Sequence, residues 1–71
     1  MRFALLPVPD GSKLAVNPNY VVKVEPETKD RALVTVAHGA GHAAFTVAAG
    51  SDTVCAIVEN AWRDTAPIRA L

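Results

Sequence analysis

His38 and His42 are the two histidines of this 71-residue chain, separated by Gly39-Ala40-Gly41. Two imidazoles at the mouth of a turn could hold a metal, but the spacing that aligns ligands on a helix does not align them across a glycine turn. No third ligand is close in sequence, so the pair reads as surface residues of a turn, with no metal and no cofactor. Cys55 falls near the expected start of a helix, where a thiolate is favoured. It adjoins an apolar stripe, no base is assigned to it, and the reading is a small buried hydrophobe. An enzyme built here would need Cys55 within about 2.6–3.2 Å of His38 or His42, from a helix to a turn tip. Gly39 and Gly41 lie between two strands rather than between a strand and a helix, which is where a phosphate loop would place them. No catalytic residue is assigned, and the chain is expected not to be an enzyme.

Binding chemistry has better material. Trp62 lies at the edge of the same stripe, next to Arg63 and just before a short tail that carries Ile68 and Leu71. Trp and Arg are the residues that most often dominate interface energetics. These four form the expected partner-binding set, with Trp62 partly buried over a sheet edge and one side left for a neighbouring chain. Lys13, Lys23, Lys29 and Arg31 form an alternative, nucleic-acid-facing set if strand pairing gathers them. Glu25, Glu27 and Asp30 stand among them, and that mixture reads first as a solvated face.

Composition narrows the classes. Seven basic and seven acidic residues cancel, which gives no electrostatic footprint for nucleic acid, and nucleic acid is not the expected partner. A hydrophobic fraction of 51% against 20% charged excludes global disorder. So short a chain buries only about 60% of its unfolded surface, and self-association or a partner would widen a thin stability margin. One cysteine cannot staple the fold from within, and no run approaches the ~20 apolar residues of a membrane span. A cytoplasmic compartment, with no membrane association, is the expectation.

The elements that must position these residues follow from periodicity. Tyr20-Val21-Val22-Lys23-Val24 is the clearest strand and the expected centre of the sheet, with Tyr20, Val22 and Val24 on one apolar face. Arg2–Val8 and Lys13–Val16 read as a hairpin about Pro9-Asp10-Gly11-Ser12, and Pro7 and Pro9 require the first strand to lie at an edge or to end early. Residues 25–31 read as a charged loop. Leu33–Ala37 and Ala43–Ala49 read as two further strands around the His38–His42 turn. After Gly50 the period changes: Val54, Ile57, Val58 and Ala61 fit an amphipathic helix with Ser51 as N-cap. That helix should end by Thr65, because Pro67 restricts the residue before it. The fold class is α+β: a small antiparallel meander of about five strands, near 2–8, 12–16, 20–25, 32–37 and 43–49, with one carboxy-terminal helix near 51–63 packed on it. One domain spans 1–63 and a tail spans 64–71, and the helix leaves part of the sheet uncovered.

The stretch Asn17 to Val58, with Tyr20-Val-x-x-Val24-Glu25-Pro26, a glycine turn and Ser51-x-x-Val54-x-x-Ile57-Val58, resembles the small flagellar-associated FlbD and SwrD proteins. The resemblance implies a shape, β-strands closed by a helix, and no activity. The same order of strands and terminal helix is similar to the core of LytTR-type DNA-binding domains, which implies a small nucleic-acid-binding regulator as the alternative. The Ala- and Val-rich composition resembles that of short bacteriophage proteins. The reading is a non-enzymatic protein–protein interaction module, homo-oligomeric, that regulates or caps a larger bacterial or phage protein.

Overall fold

The computed structural model describes residues 2–63; Ile68 and Leu71, and the tail 64–71 to which they belong, lie outside the described residues. Five antiparallel strands and one carboxy-terminal helix make an α+β fold. The strands divide into two sheets: β1 (Ala4–Pro7) pairs with β2 (Lys13–Val16), while β3 (Val21–Thr28), β4 (Arg31–His38) and β5 (Gly41–Val47) pair in that order. The sequence-derived centre is therefore corrected, because β4 lies between two partners and β3 lies at an edge.

Local chemistry sets each turn. Val8 donates to the Ser12 carbonyl at 3.0 Å, Gly11 donates back to Val8 at 3.0 Å, and Gly11 takes a φ of 95°. Pro9 and Asp10 thus form the corner of a three-residue hairpin loop, with glycine in the left-handed position such a loop requires. Pro18 opens a 3₁₀ turn, Pro18–Tyr20, capped by Asn17, whose side chain accepts from the Asn19 amide at 2.9 Å. That turn removes Tyr20 from the strand where the alternation placed it. Gly39, at φ 59°, begins the two-residue Gly39-Ala40 turn between β4 and β5, in keeping with a type II′ hairpin.

A bulge corrects the expected apolar face of β3. Val21 stands opposite Val36 and Lys23 opposite Thr35, so Val22 is an extra residue in the ladder. Val22 is 52% exposed, while Val21 and Val24 pack against the core. The charged stretch 25–31 is likewise strand on both sides of a two-residue turn at Lys29-Asp30, rather than loop. Along β4 the backbone bonds alternate between its neighbours, and the pair Pro26–Ala32 falls where Pro26 faces away from β4, so its missing N–H costs the ladder nothing.

Helix α1 (Ser51–Arg63) covers one face, packing on β1, β3, β4 and the 3₁₀ turn. Leu6, Val34, Val47 and Val54 are fully buried between them, with Ala32 and Val16, and Ile57 and Val58 pack against this cluster. The first helical bond runs from the Val54 amide to the Gly50 carbonyl at 3.0 Å, which makes Gly50 the cap and Ser51 the first helical residue. Backbone bonds on either side of β1 help to fasten it to the rest: Arg2, just before the strand, donates to the Ala61 carbonyl at 3.1 Å, and Ala48 donates to the Pro7 carbonyl at 2.8 Å.

Candidate functional site

The last turn of α1 gathers the most conspicuous surface. Trp62 is 58% exposed, and its indole Nε1–H donates to Asn19 Oδ1 at 2.8 Å. Asn19 is presented by the 3₁₀ turn, whose next residue, Tyr20, is 57% exposed. On the other side of the same helical turn, Phe3, Leu5, Ile57 and Ala61 line an open groove of about 210 Å³ between β1 and α1. Phe3 and Leu5 are themselves exposed. Alternation in β1 sends Ala4 and Leu6 into the core and therefore leaves Phe3 and Leu5 outside. Large apolar side chains thus flank the carboxy-terminal end of α1 on both sides. Phe3, Leu5 and Tyr20 belong to this surface and were missed by sequence reasoning, which read Phe3 and Leu5 only as part of the first strand and placed Tyr20 on the apolar face of the central one.

Arg63, the neighbour of Trp62, is exposed and pairs with Glu59 at 3.6 Å, one helical turn back. Exposed pairs of this kind contribute little to stability. They do hold the guanidinium at the rim of the aromatic surface.

The alternative cationic set is spread over the molecule. Lys13 belongs to β2, in the separate hairpin; Lys23 belongs to β3 and pairs with Glu25 at 3.5 Å; Lys29 occupies the β3–β4 turn; Arg31 opens β4. Thr46 donates to Glu27 at 3.3 Å on the same sheet, so acidic groups are interleaved with the lysines. The concavity beside Lys29, about 640 Å³ between the β3–β4 turn and the start of α1, is lined by Asp30 and Asp52 as well. It therefore presents both signs of charge rather than one.

His38 and His42 are exposed, at the end of β4 and the start of β5. His38 stands opposite Gly41 and His42 opposite Ala37, so the two imidazoles fall on opposite faces of the sheet. No group of three metal-ligating side chains occurs among the described residues. Cys55 corrects its expectation: it is a free, exposed thiol, because it follows Val54 by one position and is rotated out of the stripe that Val54, Ile57, Val58 and Ala61 turn inward. Hydrogen bonds from the Ser12 hydroxyl at 2.6 Å and the Ser12 amide at 2.8 Å hold the Asp10 carboxyl below its ordinary value. Those bonds fix a turn.

Among the described residues no helix is long and apolar enough to cross a membrane. No family model, curated protein or solved structure matches the chain.

Proposed function

We propose that this chain is a non-enzymatic protein–protein interaction module whose adhesive surface is the apolar end of the fold around Trp62. The observation that carries the reading is the exposure of Phe3, Leu5, Leu14, Tyr20, Val22 and Trp62 on so small a domain. A domain of this size needs every large apolar side chain it has for its own core. Leaving these outside is a stability loss that a partner surface would recover. Aromatic anchors ringed by an Arg–Glu pair match the composition of interface centres and rims.

The partner is read as a larger bacterial or phage protein that the module regulates or caps, in line with the resemblance of its strand-and-helix order to small flagellar-associated proteins. The test is a paired capture experiment with tagged wild type and Trp62→Ser, both first shown to be folded by circular dichroism. A protein held by wild type and lost with Trp62→Ser supports the reading. Identical capture profiles for the two, with no self-association of either, defeat it.

A further inference from the structure

Among the described residues the three-stranded sheet ends in two edge strands, β3 and β5, and only β3 carries guards within its own sequence. Edge strands invite pairing with another chain, and proteins blunt them with proline, bulges and inward or edge charges. β3 has all of these: Pro26, register shifts at 21–23 and 26–28, and Lys23, Glu25 and Glu27. β5, Gly41-His42-Ala43-Ala44-Phe45-Thr46-Val47, has none. Its register against β4 runs without a shift from Gly41 to Val47.

The pairing His38–Gly41 that closes the turn, followed by twos, directs the backbone groups of Gly41, Ala43, Phe45 and Val47 toward β4. Those of His42, Ala44 and Thr46 point the other way. The next residue in that series, Ala48, shows the direction, since its N–H leaves the sheet to meet the Pro7 carbonyl at 2.8 Å. Residues 41–44 are all exposed.

We propose that β5 pairs antiparallel with β5 of a second copy about a two-fold axis at Ala44, joining two three-stranded sheets into one continuous sheet. This rests on the interaction-module reading and names a self-association surface for it. In that register Ala44 meets Ala44, and His42 meets Thr46 of the other copy. These are the residues whose backbone groups face outward, so each pair exchanges two hydrogen bonds. Between them, Ala43 stands opposite Phe45, and Gly41 opposite Val47, setting small side chains against large ones where the strands approach closest.

Charge points to the same occupant. β5 carries no Lys, Arg, Asp or Glu, so no like charges meet across the axis, and a chain of zero net charge brings no long-range repulsion between copies. Of the edges this chain offers, β3 would bring its carboxylates and bulges to the seam. The interface is isologous, so it closes at two copies, and the joined sheet ends on both sides in a guarded β3 strand.

Sedimentation velocity over about a hundredfold range of concentration, up to about 500 μM, tests this. The expected result is a monomer that becomes a dimer as concentration rises, with amide exchange at His42, Ala44 and Thr46 slowing in step. Ala44→Pro removes the N–H that faces the second copy and, like Pro26 in β3, leaves the ladder to β4 intact. It should lower the dimer constant at least tenfold. Ala44→Lys sets two cations against each other at the axis and should do the same, and it carries the test if Ala44→Pro does not fold. A wild-type monomer at the highest concentration overturns the strand pairing, whether or not the Trp62 surface captures a partner. A dimer that persists in the folded variants also overturns it, while leaving the interaction-module reading standing on another surface.

Discussion

The indole of Trp62 and the side-chain oxygen of Asn19, 43 residues apart in sequence, meet in a 2.8 Å hydrogen bond that ties the end of α1 to the 3₁₀ turn ahead of β3. The ring is held by its nitrogen while more than half of the residue stays in solvent. It is positioned without being consumed by the core.

That geometry separates two energies in one substitution. Trp62→Ala should cost about 1–2 kcal/mol of folding stability, the scale of a lost hydrogen bond with modest packing, rather than the ~3–5 kcal/mol of a core aromatic. Binding of a partner on this surface should weaken by at least about 2 kcal/mol, roughly thirtyfold. Trp62→Phe, which keeps a ring and loses the N–H, should cost about 0.5–1.5 kcal/mol of stability. Thermal melts and a binding titration on the same preparations measure both. A melting loss as large as that of a core deletion would return Trp62 to the core.

The bulge in β3 predicts opposite outcomes for one chemical change at two valines. Val22→Thr, on the extra and exposed residue, should change stability by less than about 0.5 kcal/mol. Val34→Thr, at a fully buried position of β4, inserts a hydroxyl among Leu6, Val47 and Val54 and should cost about 1–3 kcal/mol. Denaturant midpoints for the two variants should rank accordingly. Equal losses would mean that Val22 faces the core and the register is wrong.

Gly50 is placed by contact rather than by backbone angle. A Cβ there would lie 2.6 Å from the Lys29 carbonyl oxygen, which is main chain and has no rotamer to change. Gly50→Ala should therefore push the start of α1 away from the β3–β4 turn and cost about 1–3 kcal/mol, the usual scale of overpacking. Lys29→Ala, which leaves the carbonyl in place, should be close to neutral. A stabilised Gly50→Ala protein would show that the helix start is not held against that turn.

Asp10 supplies the pH prediction. Its folded pKa lies below the ordinary 3.8 because Ser12 donates from both hydroxyl and amide. A depressed carboxylate stabilises the fold above its unfolded pKa, and the contribution is lost as pH falls through the folded value. The carboxyl, followed by NMR, should titrate below the ordinary value in wild type and closer to it in Ser12→Ala. Titration of Asp10 at 3.8 or above in the wild-type protein would show that the two turn bonds do not persist in solution.

Periodicity alone located the helix and all five strands, since Val54, Ile57, Val58 and Ala61 repeat at helical spacing and β4 is rich in β-branched residues. What it could not show was the extra residue at Val22, because a bulge reverses a period of two without leaving any mark in composition. Pro26 was read within a charged loop, whereas it lies in an edge strand with its nitrogen pointing away from β4, a fact that depends on which partner lies beside it. Cys55 was read inward from its nearness to the stripe, and one helical step turned it outward. The aromatic surface was half legible. Trp62 could be singled out by type, but its bond to Asn19 and the company of Phe3 and Tyr20 arise from contacts distant in sequence.

The bonds that fasten β1 also order the events of folding. β3, β4 and β5 join through turns of two residues and can pair as soon as each hairpin exists, on the microsecond scale of hairpin formation. Leu6 in β1, by contrast, has no complete pocket until Val47 and Val54 are in place, and its strand is tied at both ends only when Arg2 donates to the Ala61 carbonyl of α1 and Ala48 donates to the Pro7 carbonyl of β1 itself. The first hairpin can therefore complete its apolar packing only against a β5 and an α1 that have already formed.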